Sequence, residues 1–445
     1  MTSISHNRSI VTPVKKAAPP ITMVVLNTLT DRPFNGFRVT GSDNAKFAVA
    51  NVSRLLLSYE DYCAPRKRKR KPDDLKTFHR QVQALVCDLI HREITCPGGW
   101  LAIPLSNAAL GSLDRYKPPS VSKTIKGVLN YMAAPEMQHI ERRSGVWNPS
   151  DKSLNLVSTI RAGESLRHLI DDYGLTLNDF QTEKTQESIV LKDSKEYHND
   201  SGKWIQYKDT PQTNQYRQAM RRINDALIEA DIRSLPSEDT GEIFDTTDRY
   251  LRRYFNNGSF ELGGRVFGGF WQAMSKQDRK RILINGEPTV TLDFGQMNPR
   301  LMYGISLQEM TIKDAYAIPG LEDHRDGIKL VFNAMLHRTT SMSRKPKGSV
   351  ELLPKNRRIQ DITSRIEYYH RPIRDLFYTG VGMRLFYNES QILMEVLTQL
   401  LHHGITALPV HDAVIVPQHH QELAKSIMLT VFKEKTGTEG IVNLE

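Results

Sequence analysis

Two aspartates, Asp293 and Asp412, are the residues through which this sequence can do chemistry. The first ends the run Thr289-Val290-Thr291-Leu292-Asp293-Phe294, whose apolar and polar residues alternate with the period of a strand. Gly295 breaks that run, and Asn298-Pro299-Arg300 opens a helix, with Asn298 as cap and Pro299 in the first turn. The second aspartate lies between the apolar runs 405–410 and 413–417, so His411-Asp412 makes the turn of a tight hairpin. A carboxylate beside buried strands is costly unless something pairs with it. Two such carboxylates on neighbouring strand ends offer hard oxygen ligands to Mg2+, with Mn2+ as a substitute. Two ions about 3.5–4 Å apart would clamp an in-line phosphoryl displacement. A third segment supplies cations: Arg325, Lys329, Asn333 and His337 recur every four residues and share one helix face. Such a stripe is a ladder for a triphosphate. Taken alone, an Arg/Lys pair at that spacing is usually a solvated face; the three segments in this order are far more specific.

These residues need a scaffold, and the chain can build one. Its 445 residues suggest two or three domains, and 39% hydrophobic with 25% charged residues excludes wholesale disorder. The formal net charge of +10 points to a polyanionic partner, nucleic acid first. Three cysteines, Cys63, Cys87 and Cys96, make no disulfide framework and match no zinc spacing. A reducing, cytoplasmic setting is expected. There is no apolar run of about 18 residues to span a membrane, and the start lacks the apolar core of a signal peptide.

Residues 1–72 read as a flexible basic arm with a helix near 45–62. Six consecutive cations, 66–71 between Pro65 and Pro72, read as a phosphate-binding arm or a nuclear address, or more plainly as a solvated linker. Residues 73–178 read as a mostly helical unit. A helix over 75–94 is followed by one opening at 118–123, with Ser120 or Ser122 as N-cap and Val121, Ile125, Val128, Leu129 and Met132 on its apolar face. Extended pieces near 139–142 and 153–159 meet at a Gly145/Pro149 turn. That order is the order of a winged helix, with Lys117, Lys123, Thr124 and Lys126 toward phosphates. A small helical adaptor with a surface hairpin fits equally well. A polar linker is expected over 179–210. Then comes an amphipathic helix over 214–232, with Tyr216, Met220, Ile223 and Leu227 on its stripe. A further helix over 388–403 is capped by Asn388. Gly264, Gly268 and Gly269 beside Phe267, Phe270 and Trp271 suit a single strand crossing aromatic rings, or core.

Leu292-Asp293-Phe294-Gly295-Gln296-Met297-Asn298-Pro299-Arg300 resembles the first palm motif of family A DNA polymerases, the bacterial polymerase I class. Arg325 and Lys329 resemble the start of that family's fingers helix, and Val410-His411-Asp412 its His-Asp-Glu hairpin. Gly263-Gly264-Arg265 resembles its Gly-Arg element. The likeness covers roughly residues 210–420 and extends to the single-subunit phage-type RNA polymerases. It implies an α+β right-hand fold over 211–445, with an antiparallel palm sheet, helical fingers and a helical thumb around 211–258.

By that resemblance Asp293 and Asp412 are the catalytic metal ligands, assisted by the backbone carbonyl of Phe294. Arg325 and Lys329 grip the triphosphate, with Asn333, His337 and Asn298 lining the nucleotide site. Arg265 holds primer or template, Gln296 and Arg300 stabilise the site around the terminus, and His411 touches the primer-terminal phosphate. The sequence departs from the family pattern in three places. Asn298 replaces the Glu that excludes a 2′-hydroxyl, Asn333 and His337 replace aromatic residues, and Ala413 replaces the third hairpin acid. The expected activity is template-directed nucleotidyl transfer with Mg2+, as a DNA polymerase of a phage, plasmid or mobile element. Its partners are primer-template DNA, or RNA, and nucleoside triphosphates; the oligomeric state is left open. The alternatives are an RNA polymerase or primase of the same fold, or a non-catalytic replication initiator with a degenerate palm.

Overall fold

The computed structural model describes residues 31–112, 114–146, 150, 155–194, 202–236 and 244–445. The arm over 1–30, Pro149 and Ser153 lie outside the described residues. The first strands are β1 (Arg32–Pro33) and β2 (Arg38–Thr40), followed by α1 (Asp43–Tyr62) and α2 (Pro72–Thr95). Pro72 sits in the first turn of α2 and Asp73 and Asp74 face its positive end, which starts the helix directly after the basic run. Next come β3 (Leu101–Ala102), α3 (Asn107–Gly111), α4 (Ile125–Met132), β4 (Ile140–Arg143), β5 (Thr159–Ala162) and α5 (Glu164–Asp172).

The protein is α+β and divides into two units, and no helix among the described residues is long and apolar enough to cross a membrane. The first comprises 31–36, 47–111 and 122–176 of the described chain. Its sheet runs β1-β3-β5-β4. The expected antiparallel pairing is present, β4 with β5, the described second strand spanning Thr159–Ala162. Helix α4 starts at Ile125, so neither Ser120 nor Ser122 caps it. Ser122 Oγ instead accepts from Gln81 Nε2 of α2 (2.9 Å), as does Thr124 Oγ1 (2.9 Å). Lys117 falls in the other unit, so the four-residue phosphate face expected for a winged helix is not assembled within this one. The basic run is partly satisfied: Arg70 donates to the buried Glu60 (2.6 Å) and lies over the Phe78 ring (4.4 Å).

The second unit comprises 37–46, 112–121 and 177–445. Its elements after β2 are β6 (Phe180–Thr182), β7 (Ile189–Leu191), α6 (Pro211–Glu229), β8 (Ile232–Ser234), β9 (Arg252–Asn256), β10 (Ser259–Phe267), α7 (Lys276–Arg279), β11 (Ile282–Ile284) and β12 (Glu287–Phe294). They continue with α8 (Met297–Ile305), α9 (Arg325–Leu336), α10 (Ile359–Tyr369), α11 (Gly382–His402), β13 (Leu408–Val410), β14 (Ala413–Pro417), α12 (Gln421–Thr436) and β15 (Val442–Leu444). The described residues of 179–210 are not a plain linker. The consecutive apolar residues Ile189, Val190 and Leu191 are all buried, and β7 pairs in parallel with β9. Among the described residues of 211–258, α6 is the helical part and β8 and β9 are strands, so the region is not helical throughout. Helix α11 begins at Gly382, six residues before Asn388, which lies inside the helix rather than capping it.

One sheet carries the sequence-derived acids. Its order is β13-β14-β12-β11-β8, with β15 also pairing β12. All five residues of β14 are buried, which is why an unbroken apolar run forms its middle. On β12, Leu292 and Phe294 face the core while Thr291 and Asp293 face the other side. The core beneath takes α11 through Leu385, Ile392, Val396 and Leu400 and α12 through Met428, Val431 and Phe432. Trp271 is fully buried in it, its indole N–H bonded to the Pro409 carbonyl (2.9 Å), so this ring is core and not a stacking surface.

Candidate active site

Antiparallel register brings the two aspartates together. Asp293 lies opposite Ala413 on β14, and Asp412 is the residue immediately before Ala413. The β13–β14 hairpin closes at His411-Asp412, and His411 takes a left-handed backbone (φ +55°) to make the turn. Burial raises the pKa of both carboxyls. Asp293 is pushed up to about 7, first by burial and then by the negative charges of Asp412 and Glu445. Asp412 is pushed up by burial, against its own backbone N–H and the positive charges of Arg265, His411 and Lys329.

The expected cationic stripe is sorted by its partners. All four residues belong to α9 or its C-cap. Arg325 donates to Asp314 (2.7 Å) and lies 5.4 Å from the Tyr316 ring centre. Lys329 is exposed, and its charge acts on both Asp293 and Asp412. Asn333 accepts from Asn298 Nδ2 (2.9 Å), joining α9 to α8. The His337 ring stacks obliquely on Phe386 (5.0 Å), and burial followed by the Arg265 charge lowers its pKa. Lys329 is therefore the member of the stripe that stands with the acids.

The residues after β12 hold the backbone rather than line a surface. Gln296, not Asn298, is the N-cap of α8, in a left-handed conformation with no side-chain cap bond. Its Oε1 accepts from the Ala315 N–H (2.8 Å). Asn298 lies in the first turn, and its Oδ1 is buried with no hydrogen-bond partner among the described residues. Arg300 is 7% exposed and donates to the Glu439 carbonyl (2.6 Å), so it braces α8 against the loop after α12.

Arg265 makes a two-pronged ion pair with Glu389 of α11 (2.7 and 2.8 Å) and lies 3.7 Å from the Phe386 ring centre. Glu389 is 2% exposed, so the acid is buried and neutralised in place. Beside this pair sits Arg253 of β9, 1% exposed, a residue the sequence did not single out. It donates to the Gly264 carbonyl (2.9 Å), Ser390 Oγ (2.8 Å) and Gln391 Oε1 (3.1 Å). Burial lowers it to about 10. Gly264 makes this close approach feasible: its φ is +85°, and a Cβ there would come within 2.6 Å of Ser390 Oγ. His411 meets the Phe267 ring edge-on at 6.0 Å.

Among the described residues, no salt bridge reaches Asp293 or Asp412, and no three His, Cys, Asp or Glu side chains converge on a common metal position. Two half-buried acids that repel one another, with a strand-end carbonyl at Phe294, nevertheless suit a hard divalent cation. A cation would relieve the repulsion that raises Asp293.

No family model matches this chain. No curated protein matches it either. Among solved structures it is similar to the POL domain of Pol1 from M. smegmatis, in complex with DNA primer-template and dNTP. That similarity has 11% identity and a TM-score of 0.29, covering 91% of this chain and 81% of that one.

Proposed function

We propose that the second unit is a template-directed nucleotidyltransferase, most simply a DNA polymerase, acting at the Asp293–Asp412 end of its main sheet. The observation that supports this is the β12–β14 register, with Asp293 opposite Ala413 and Asp412 next in the chain, together with the charges of Asp412 and of the exposed Lys329 acting there. In this reading β13-β14-β12-β11-β8 is the palm, α9 and α10 belong to the fingers, and α6 is the helical part of the thumb. Asp293, Asp412 and the Phe294 carbonyl would hold Mg2+. When bound, the ion neutralises the triphosphate and favours ionisation of a 3′-hydroxyl.

The reaction is attack of the 3′-oxygen on the α-phosphorus of the incoming nucleotide. One P–O bond forms, the bond to the β-phosphate bridge breaks, pyrophosphate leaves with its electron pair, and the hydroxyl proton passes to solvent. Lys329 meets the triphosphate charge directly. Arg325, already held by Asp314, is a weaker second contact. The Arg265–Glu389 pair fixes the strand that precedes the site, and Asn298–Asn333 fixes α9 against α8. Catalysis is then positioning plus electrostatics.

One observation favours a ribonucleotide substrate. The buried Asn298 Oδ1 lacks a donor among the described residues, and a ribose hydroxyl would supply one. Primer extension with Mg2+, run with deoxy- and ribonucleotides side by side, tests both readings. Incorporation by wild type that disappears in Asp293→Ala and Asp412→Ala supports the activity. Absence of incorporation by wild type, with nucleic acid still bound, would overturn it in favour of a replication initiator. A deoxynucleotide preference that Asn298→Ala leaves unchanged would remove the ribose contact.

A further inference from the structure

A cleft of about 600 Å3 opens beside the catalytic turn, and the reaction above uses little of it. Lys192, Trp204, Tyr254, Phe267, Arg265 and Phe386 line it. Its rings form a series. Trp204 meets Tyr254 at 6.0 Å, Tyr254 meets Phe267 at 5.8 Å, and Phe267 meets His411 at 6.0 Å, the residue before Asp412. Trp204 is 41% exposed and Phe267 37%, so both rings present surface to the cleft. Cations flank the series: Lys192 Nζ lies 5.1 Å from the Tyr254 ring and the Arg252 guanidinium 5.8 Å from that of Trp204. Tyr116, packed on Trp204 at 5.1 Å, donates to the Ile205 carbonyl (2.9 Å) and thereby holds the Trp204 segment in place.

We infer that this cleft is a binding track for an unpaired polynucleotide strand, whose bases stack on Trp204, Tyr254 and Phe267 as it leads to or from the Asp412 turn. Exposed rings in sequence accept any base, because every base has a π-face, and flanking cations meet the backbone phosphates. A duplex keeps its bases stacked on each other and could not use the rings. The inference rests on the proposed function for its direction toward the active site, but its binding claim stands separately.

The test is binding of a labelled oligothymidylate of about 12 nucleotides, measured by anisotropy against a blunt duplex of the same length. Trp204→Leu and Phe267→Leu keep apolar bulk but remove the ring. Each should weaken the single strand about tenfold or more and change duplex affinity less than about twofold. Trp204→Phe should recover most of the loss. Single-strand affinity within about twofold of wild type in the folded double variant would overturn the inference. So would an equal loss for both ligands, or full affinity for a mononucleotide. Asp293→Ala separates the two proposals: it should abolish incorporation and leave ring-dependent binding intact. A wild type that extends primers although the rings do not matter would sink the track alone. A wild type that does not extend primers but binds through the rings would sink the polymerase reading alone.

Discussion

Glu389 and the Asp293–Asp412 pair are acids in the same unit, held in opposite ways. Glu389 is almost fully buried and gripped on two sides by Arg265, which itself lies on the Phe386 ring. Asp293 and Asp412 are half-buried, lie at adjacent strand ends where the charge of Asp412 acts on Asp293, and have no ion-pair partner among the described residues. In the first region the chain supplies its own counter-charge, and the result is a clamp between β10 and α11. In the second it withholds one, and the result is a standing electrostatic debt at the end of β12. His370 shows a third solution. Fully buried, it donates from Nε2 to the Ala315 carbonyl (2.8 Å) and is kept neutral, its pKa lowered to about 4 by burial. The difference separates charges that the fold neutralises from charges that, in the proposed function, await a ligand.

The sharpest way to break this contrast is to remove the open charges. Asp293→Ala or Asp412→Ala should cost about three orders of magnitude or more in nucleotide incorporation. Asp293→Asn should at the same time raise the thermal midpoint measured in EDTA, because it deletes a repulsive buried charge. Added Mg2+ should raise the midpoint of wild type and not of the Asp293→Asn/Asp412→Asn double variant. A wild type indifferent to Mg2+ would show that the acids are not a cation site.

Glu389→Gln attacks the other side. Leaving Arg265 beside an uncharged partner should cost about 3 kcal/mol in a denaturant titration. A cost below about 0.5 kcal/mol would place the pair with ordinary surface bridges. A smaller effect should separate the two cations of α9. Lys329→Gln should raise the KM for nucleoside triphosphate about tenfold, and Arg325→Gln less, since Asp314 already occupies Arg325. Equal losses would undo that ranking. The mildest expectation concerns His370. Its folded pKa lies below the unfolded value, so the unfolded chain takes up the proton first. The stability it confers is complete above about pH 6.5 and is lost as pH falls toward 4. His370→Gln should flatten that part of a pH–stability profile.

Much of the site was legible because local pattern and tertiary role coincide there. The alternation ending at Asp293, the two apolar runs around His411-Asp412 and the four-residue period of α9 each survive folding. The failures come where a side chain is claimed by something distant. Ser122 looks like a cap until Gln81 of α2 takes its hydroxyl. Asn388 looks like a helix start, but packing extends α11 back to Gly382. Arg265 pairs with Glu389, 124 positions away, and no spacing rule reaches that far. Arg253 and Trp204 carried no motif. For Ile189-Val190-Leu191 a signal was present: a short, uninterrupted apolar run inside a polar stretch marks an interior strand.

The left-handed backbone at His411 has a consequence for how this protein could be improved or could decay. Glycine or asparagine would sit there more comfortably, by about 1 kcal/mol, so selection for durability alone would erode the histidine. With it would go the imidazole edge that closes the aromatic path against Asp412. A hardier lineage of this chain would therefore be expected to keep its shape while losing, in the proposed track, the ring nearest Asp412.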